Sequence, residues 1–107
     1  MLKNLNPYLN ADLLHVLRSM GHGDELILVD CNFPSDSVAA HTVSGKLIRM
    51  EGLNVPEVAE AILSVYPLDS FVPEPVLRME LVGNPDEWVE CHHEMKKVVD
   101  KTSDRDW

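Results

Sequence analysis

The sequence predicts an α/β layered domain. Two observations carry that reading: helical apolar stripes alternate with short apolar runs in the order helix, strand, strand, helix, strand, helix, and glycine, proline and asparagine punctuate the joins. The first helix is the easiest to place. Asn10 can cap it, and Asp12 lies in the first turn, where the helix dipole favours negative charge. Leu13, Leu14, Val16, Leu17 and Met20 form its stripe, and Gly21 can end it in the left-handed conformation. Leu26-Ile27-Leu28-Val29 has the look of a strand covered on both faces, with Asp30 directly after it. Residues 34–45 read as a loop and 46–50 as a short strand stopped by Glu51-Gly52. A second helix starts near Asn54, with Pro56 in the first turn, where its missing N–H costs nothing. Its stripe is Val55, Val58, Ala59, Ile62, Leu63 and Tyr66, and Pro67 stops it. Residues 69–75 form a loop, 76–82 a strand and Gly83-Asn84-Pro85-Asp86 a turn. A third helix covers residues 86–100, with Trp88, Cys91, Met95, Val98 and Val99 on one face. The tail, 101–107, carries no packing pattern and is expected to fray. Three short strands make a sheet that is small for this class.

Length and charge narrow the function classes. A chain of 107 residues, 45% hydrophobic, makes one domain. Folding at this size removes roughly 65% of the unfolded surface from water, enough for a single core. Eighteen acids against nine bases give a net charge of -9, which repels phosphate backbones and argues against nucleic acid. Lys96, Lys97 and Lys101 make no basic patch, since Glu94, Asp100 and Asp104 sit among them. The two cysteines, Cys31 and Cys91, make no disulfide framework and read as free, buried thiols of a reducing compartment. The N-terminus lacks the apolar core of a signal peptide, and no apolar run has the length of a membrane span. A cytoplasmic protein without membrane contact is the expectation.

The chemistry is concentrated in Met20-Gly21-His22-Gly23-Asp24-Glu25. Flanking glycines let the backbone turn sharply and leave the imidazole uncrowded, so His22 can reach a pocket and exchange a proton near neutral pH. Asp30 follows the buried run, at the strand end where ligands gather in open α/β sheets. Two plainer readings stand beside these: His22 as a solvated turn residue, and Asp30 as a helix cap.

The run MGHGDELILVDCNFP, Met20 to Pro34, resembles the signature MGHGDEIVLAD-x-NFP of the L-fucose mutarotase family, which is related to the ribose pyranases. Further matches follow in order. Ala11-Asp12-Leu13-Leu14 stands where the family has P-E-L-L, and Ile48-Arg49-Met50-Glu51-Gly52-Leu53 resembles its IRADGL. Pro67-Leu68-Asp69-Ser70-Phe71-Val72 resembles PLD-(S/T)-Y-V, and residues 76–82 resemble its VMELV strand. The resemblance covers residues 2–99 of a single mutarotase-like domain, 1–107. It implies a layered helix/sheet fold of the ribose pyranase/fucose mutarotase type. It also implies interconversion of the α and β anomers of a monosaccharide, L-fucose above all, by acid/base ring opening and closing without cofactor or metal. Through it His22 becomes the proton donor. Asp30 would hold sugar hydroxyls and orient the imidazole, Asp69 would be a second sugar-contacting carboxylate, and Met79 would lie against C–H faces or the 6-deoxy methyl group. Plainer readings of the last two are a loop cap for Asp69 and core packing for Met79.

Family members continue with segments like RFEFYERAKKAF and TGE-x-x-x-YGN-x-x-L-x-KG, which carry a site tyrosine and the last strands. Nothing after Val99 resembles them. The expectations are therefore a sheet incomplete on its C-terminal side, weak exchange, marginal stability, and homo-oligomers once the fold is completed. Three rival readings remain. One is a non-catalytic or vestigial sugar-binding protein on the same scaffold. Another is a metal site at Cys91-His92-His93-Glu94, set against which consecutive helix positions point about 100° apart and cannot all face one ion. The third is an interaction module anchored by Trp88 and Trp107.

Overall fold

The computed structural model describes residues 2–102. Its elements are α1 (Ala11–Ser19), α2 (Ser35–Ala39), α3 (Val55–Leu63) and α4 (Glu90–Thr102). The Asn10 side chain accepts from the Leu13 N–H at 2.8 Å, which satisfies one of the donors a helix start leaves free. α3 opens with a full capping box: Asn54 accepts from the Glu57 N–H at 2.9 Å and Glu57 accepts from the Asn54 N–H at 3.1 Å.

Leu13 and Leu17 of α1 share one buried cluster with Leu9 and with Val58, Ala61 and Ile62 of α3. Ala61 is wholly buried, and its small side chain lets neighbours approach the helix closely. α4 packs on α3, with Val99 buried and a 2.7 Å Lys101–Glu60 ion pair on the rim. That pair is largely solvated and contributes little to stability.

The expected α/β layering is not found. Among the described residues the helices are joined by irregular segments, and β-pairing is limited to an isolated antiparallel bridge between Leu81 and Asn84. The runs read as strands do place side chains on the core. Leu26, Leu28, Ile48 and Met50 all pack against the α1–α3 cluster. Ile27, however, is 59% exposed, so the first run is covered on one face rather than two. In the third run Leu77 and Met79 are exposed as well. An apolar run specifies which side chains seek cover, whereas a strand also needs a partner for its N–H and C=O groups. Here the helices supply the cover and no ladder forms.

Other expectations shift locally. The loop 34–45 contains α2, and α4 begins at Glu90 rather than near Asp86, leaving Trp88 ahead of the helix. Cys31 and Cys91 are free but exposed, not buried. No described helix is long and apolar enough to cross a membrane. Residues 103–107, with Trp107, lie outside the described residues.

Candidate functional site

α1 ends at Ser19, and the chain turns at once. The Asp24 N–H donates to the Gly21 carbonyl at 3.1 Å, and the Gly21 N–H donates to Asp24 Oδ2 at 2.7 Å. His22 and Gly23 occupy the middle of this doubly closed turn. Gly23 has φ +92°, a region that side-chain-bearing residues rarely enter. The glycine with the left-handed backbone is thus Gly23, not Gly21 as the sequence suggested. The turn lifts His22 outward, with its side chain 61% exposed.

The imidazole is not left free. His22 Nδ1 lies 2.7 Å from Asp69 Oδ2, and the Asp69 side chain is 25% exposed. Asp69 is fixed in turn, because its Oδ1 accepts from the Phe71 N–H at 2.8 Å. One carboxylate therefore ties the loop after α3 to the turn after α1. A carboxylate accepts, so Nδ1 carries the hydrogen and Nε2 is the nitrogen left for proton exchange. The Phe71 ring meets the imidazole edge to face, with centroids 5.2 Å apart and an interplanar angle of 81°.

Neither Asp30 nor Met79 hydrogen-bonds or ion-pairs with His22 or Asp69 among the described residues. Asp30 Oδ1 accepts from the N–H groups of Asn32 at 3.0 Å and Phe33 at 3.1 Å, in a turn also closed by a Phe33 N–H to Asp30 carbonyl bond. Both side-chain bonds fall on Oδ1. The carboxylate paired with His22 is that of Asp69. Met79 is 55% exposed and so is not a core residue. Asp24 and Phe71 escaped the sequence reading. The signals were present: an Asp three residues past a glycine, and a residue two past Asp69, where an Asx turn delivers its N–H.

Outside this region, His92 Nδ1 accepts from the Val89 N–H at 3.2 Å, and the rings of His92 and His93 lie against Trp88. Among the described residues no three His, Cys, Asp or Glu side chains converge as a metal-ligand group.

Comparison with known proteins places these features in a family. The model of the RbsD / FucU transport protein family matches residues 3–106. Fucose mutarotase of Bos taurus is 44% identical over 82 residues, 77% of this chain and 52% of that protein. Fucose mutarotase of Homo sapiens is 42% identical over 87 residues, 80% of this chain and 54% of that protein. L-fucose mutarotase of Actinobacillus pleuropneumoniae is 40% identical over 82 residues, 77% of this chain and 54% of that protein. The chain thus spans about half the length of these curated relatives. A crystal structure of protein Atu2016, a candidate sugar-binding protein, superposes with a TM-score of 0.84 at 45% identity, covering 95% of this chain and 68% of that one. The family model's span and the relatives' identity together establish that this chain belongs to the RbsD / FucU transport protein family.

Proposed function

We propose that this single domain, residues 1–107, is a carbohydrate mutarotase that interconverts the α and β anomers of a monosaccharide, with L-fucose as its substrate. The observation that carries the reading is the His22–Asp69 pair at 2.7 Å, raised on a glycine turn. Opening a cyclic hemiacetal requires one proton given to the ring oxygen and one removed from the anomeric hydroxyl. Closing on the other face of the carbonyl reverses both transfers. Neither step needs redox chemistry. His22 Nε2 takes the proton of the anomeric hydroxyl while a solvent water protonates the ring oxygen. The imidazolium then returns its proton to the hydroxide so formed, and closure runs the same transfers in reverse. Asp69 holds the tautomer and stabilises the imidazolium as it forms. Asp69 thereby becomes a positioning residue first and a sugar contact second.

Asp30 holds sugar hydroxyls through Oδ2, the oxygen its own turn leaves aside. Met79 offers an exposed apolar chain to C–H faces or to a 6-deoxy methyl group. The net charge of -9 supports a reading as a cytoplasmic protein that does not bind nucleic acid. Self-association into a homo-oligomer fits the exposed Leu77 and Val82, which a neighbouring copy would cover.

The test is saturation-transfer NMR on the anomeric protons of L-fucose with the 107-residue chain. Exchange above the buffer rate, abolished by His22→Gln, supports the proposal. Sugar binding without exchange would establish the alternative, a non-catalytic sugar-binding member of the family, which the high solvent exposure of His22 favours.

A further inference from the structure

We infer that Phe71 is a specificity-determining residue of the candidate site, a platform for the apolar C–H and methyl surface of a 6-deoxy sugar beside His22. The inference rests on the proposed sugar chemistry and adds to it a residue that the motif reading passed over.

Phe71 is 84% exposed, so its ring is not held by core packing. Its position is nevertheless set from two sides. Its own N–H donates to Asp69 Oδ1 at 2.8 Å, while Asp69 Oδ2 holds His22 Nδ1 at 2.7 Å. Its ring then meets the imidazole edge to face at 5.2 Å. One carboxylate thus ties the acid/base to the backbone that carries the aromatic ring, and the ring rests edge to face on the imidazole. Monosaccharides present alternating polar and apolar surfaces, and their C–H-rich faces dock on aromatic rings while hydroxyls go to carboxylates. A sugar whose anomeric centre sits at His22 Nε2 would reach the neighbouring ring with its carbon skeleton. The phenyl ring carries no hydroxyl, so it favours a methyl group over a hydroxymethyl group at the sugar's sixth carbon.

Phe71→Ala and Phe71→Tyr test this by NMR exchange with L-fucose and with L-galactose, which differ only in that sixth-carbon hydroxyl. A folding control by circular dichroism accompanies both. Phe71→Ala should raise the half-saturating L-fucose concentration about tenfold, leave the saturated exchange rate within about twofold, and erase the preference over L-galactose. Phe71→Tyr should keep most of the affinity. An unchanged half-saturation in Phe71→Ala, or a loss confined to the saturated rate, would overturn the platform role. The binding arm separates this idea from the catalytic one. If the parent chain shows no exchange, saturation-transfer difference spectra still decide. The methyl and ring C–H protons of L-fucose must receive the strongest saturation from the parent chain and lose it in Phe71→Ala. Absence of that pattern sinks the inference, whereas loss of exchange alone sinks only the mutarotase reading.

Discussion

Asp69→Asn changes the proton on His22 without dismantling the loop. Asn retains a side-chain oxygen for the Phe71 N–H, so the Asx turn survives. With that oxygen on the Phe71 N–H, the group facing Nδ1 becomes the amide NH2, a donor. It places the imidazole hydrogen on Nε2 and does not stabilise an imidazolium. The stability cost is small. The pair is partly solvated, His22 at 61% and Asp69 at 25% exposure, so its loss costs about 1 kcal/mol or less. That cannot unfold a domain whose net stability is about 5–15 kcal/mol. The kinetic cost is larger, because general acid–base assistance contributes ~10²–10⁴-fold, or about 2.7–5.5 kcal/mol of barrier. Asp69→Asn should therefore melt within a few degrees of the parent while fucose exchange falls ~10²-fold or more. Saturation-transfer NMR and a thermal melt on one sample provide both values. Parental exchange in Asp69→Asn would show that the carboxylate neither orients nor charges the imidazole, and the mechanism would fail.

Three further outcomes follow from other contacts. His22→Gln should lose exchange and keep the parental melting temperature, since the side chain is exposed and the turn is closed by Gly21 and Asp24; retention of exchange would remove His22 from the chemistry. Asp30→Asn preserves the Oδ1 bonds and should weaken sugar binding without a change in melting, whereas Asp30→Ala also loses the turn and about 0.5–2 kcal/mol; equal sugar affinity in both variants and the parent would leave Asp30 a structural cap. Ile62→Ala, at a site 4% exposed, should destabilise by about 2–5 kcal/mol in a denaturant titration, and a change under 1 kcal/mol would mean that the α1–α3 contact is not the core.

The sequence makes α1 and α3 legible because each carries its own cap and stripe. Asn10 caps α1 and Asn54 caps α3 where expected, and Leu13, Leu17, Val58 and Ile62 are buried as their spacing implies. The sheet was misread because periodicity reports which side chains want cover, not what supplies it. Leu26 and Leu28 find cover on the helices, while Ile27 stays in water. The glycine-flanked histidine was readable as a turn, but its partner was not. Nothing near His22 in sequence announces Asp69; their meeting depends on how α1 lies against α3. Asp30 drew attention by its nearness along the chain, and its short-range bonds show how readily an aspartate serves its own backbone.

That dependence ties the core to the site. α1 delivers His22 three residues past its last residue, Ser19, and α3 delivers Asp69 six residues past Leu63. Both helices bury residues in one cluster, Leu13 and Leu17 from α1 and Val58, Ala61 and Ile62 from α3, so a change in that cluster can shift one exit against the other. A hydrogen bond weakens steeply beyond about 3.2 Å, so the 2.7 Å contact tolerates little slippage between the helices. A small shift after a core truncation would separate imidazole from carboxylate while the chain stays folded. Ile62→Ala should then reduce exchange by more than its unfolded fraction accounts for, even at temperatures well below its melting point. The reaction suits so modest a device. Hemiacetals open unaided in water, so one well-placed acid/base beside solvent is enough under the proposed reading, and an exposed His22 oriented by Asp69 supplies it. If Ile62→Ala lowers stability by the stated amount and leaves exchange per folded molecule untouched, the two loops hold the pair by themselves and the helices merely carry them.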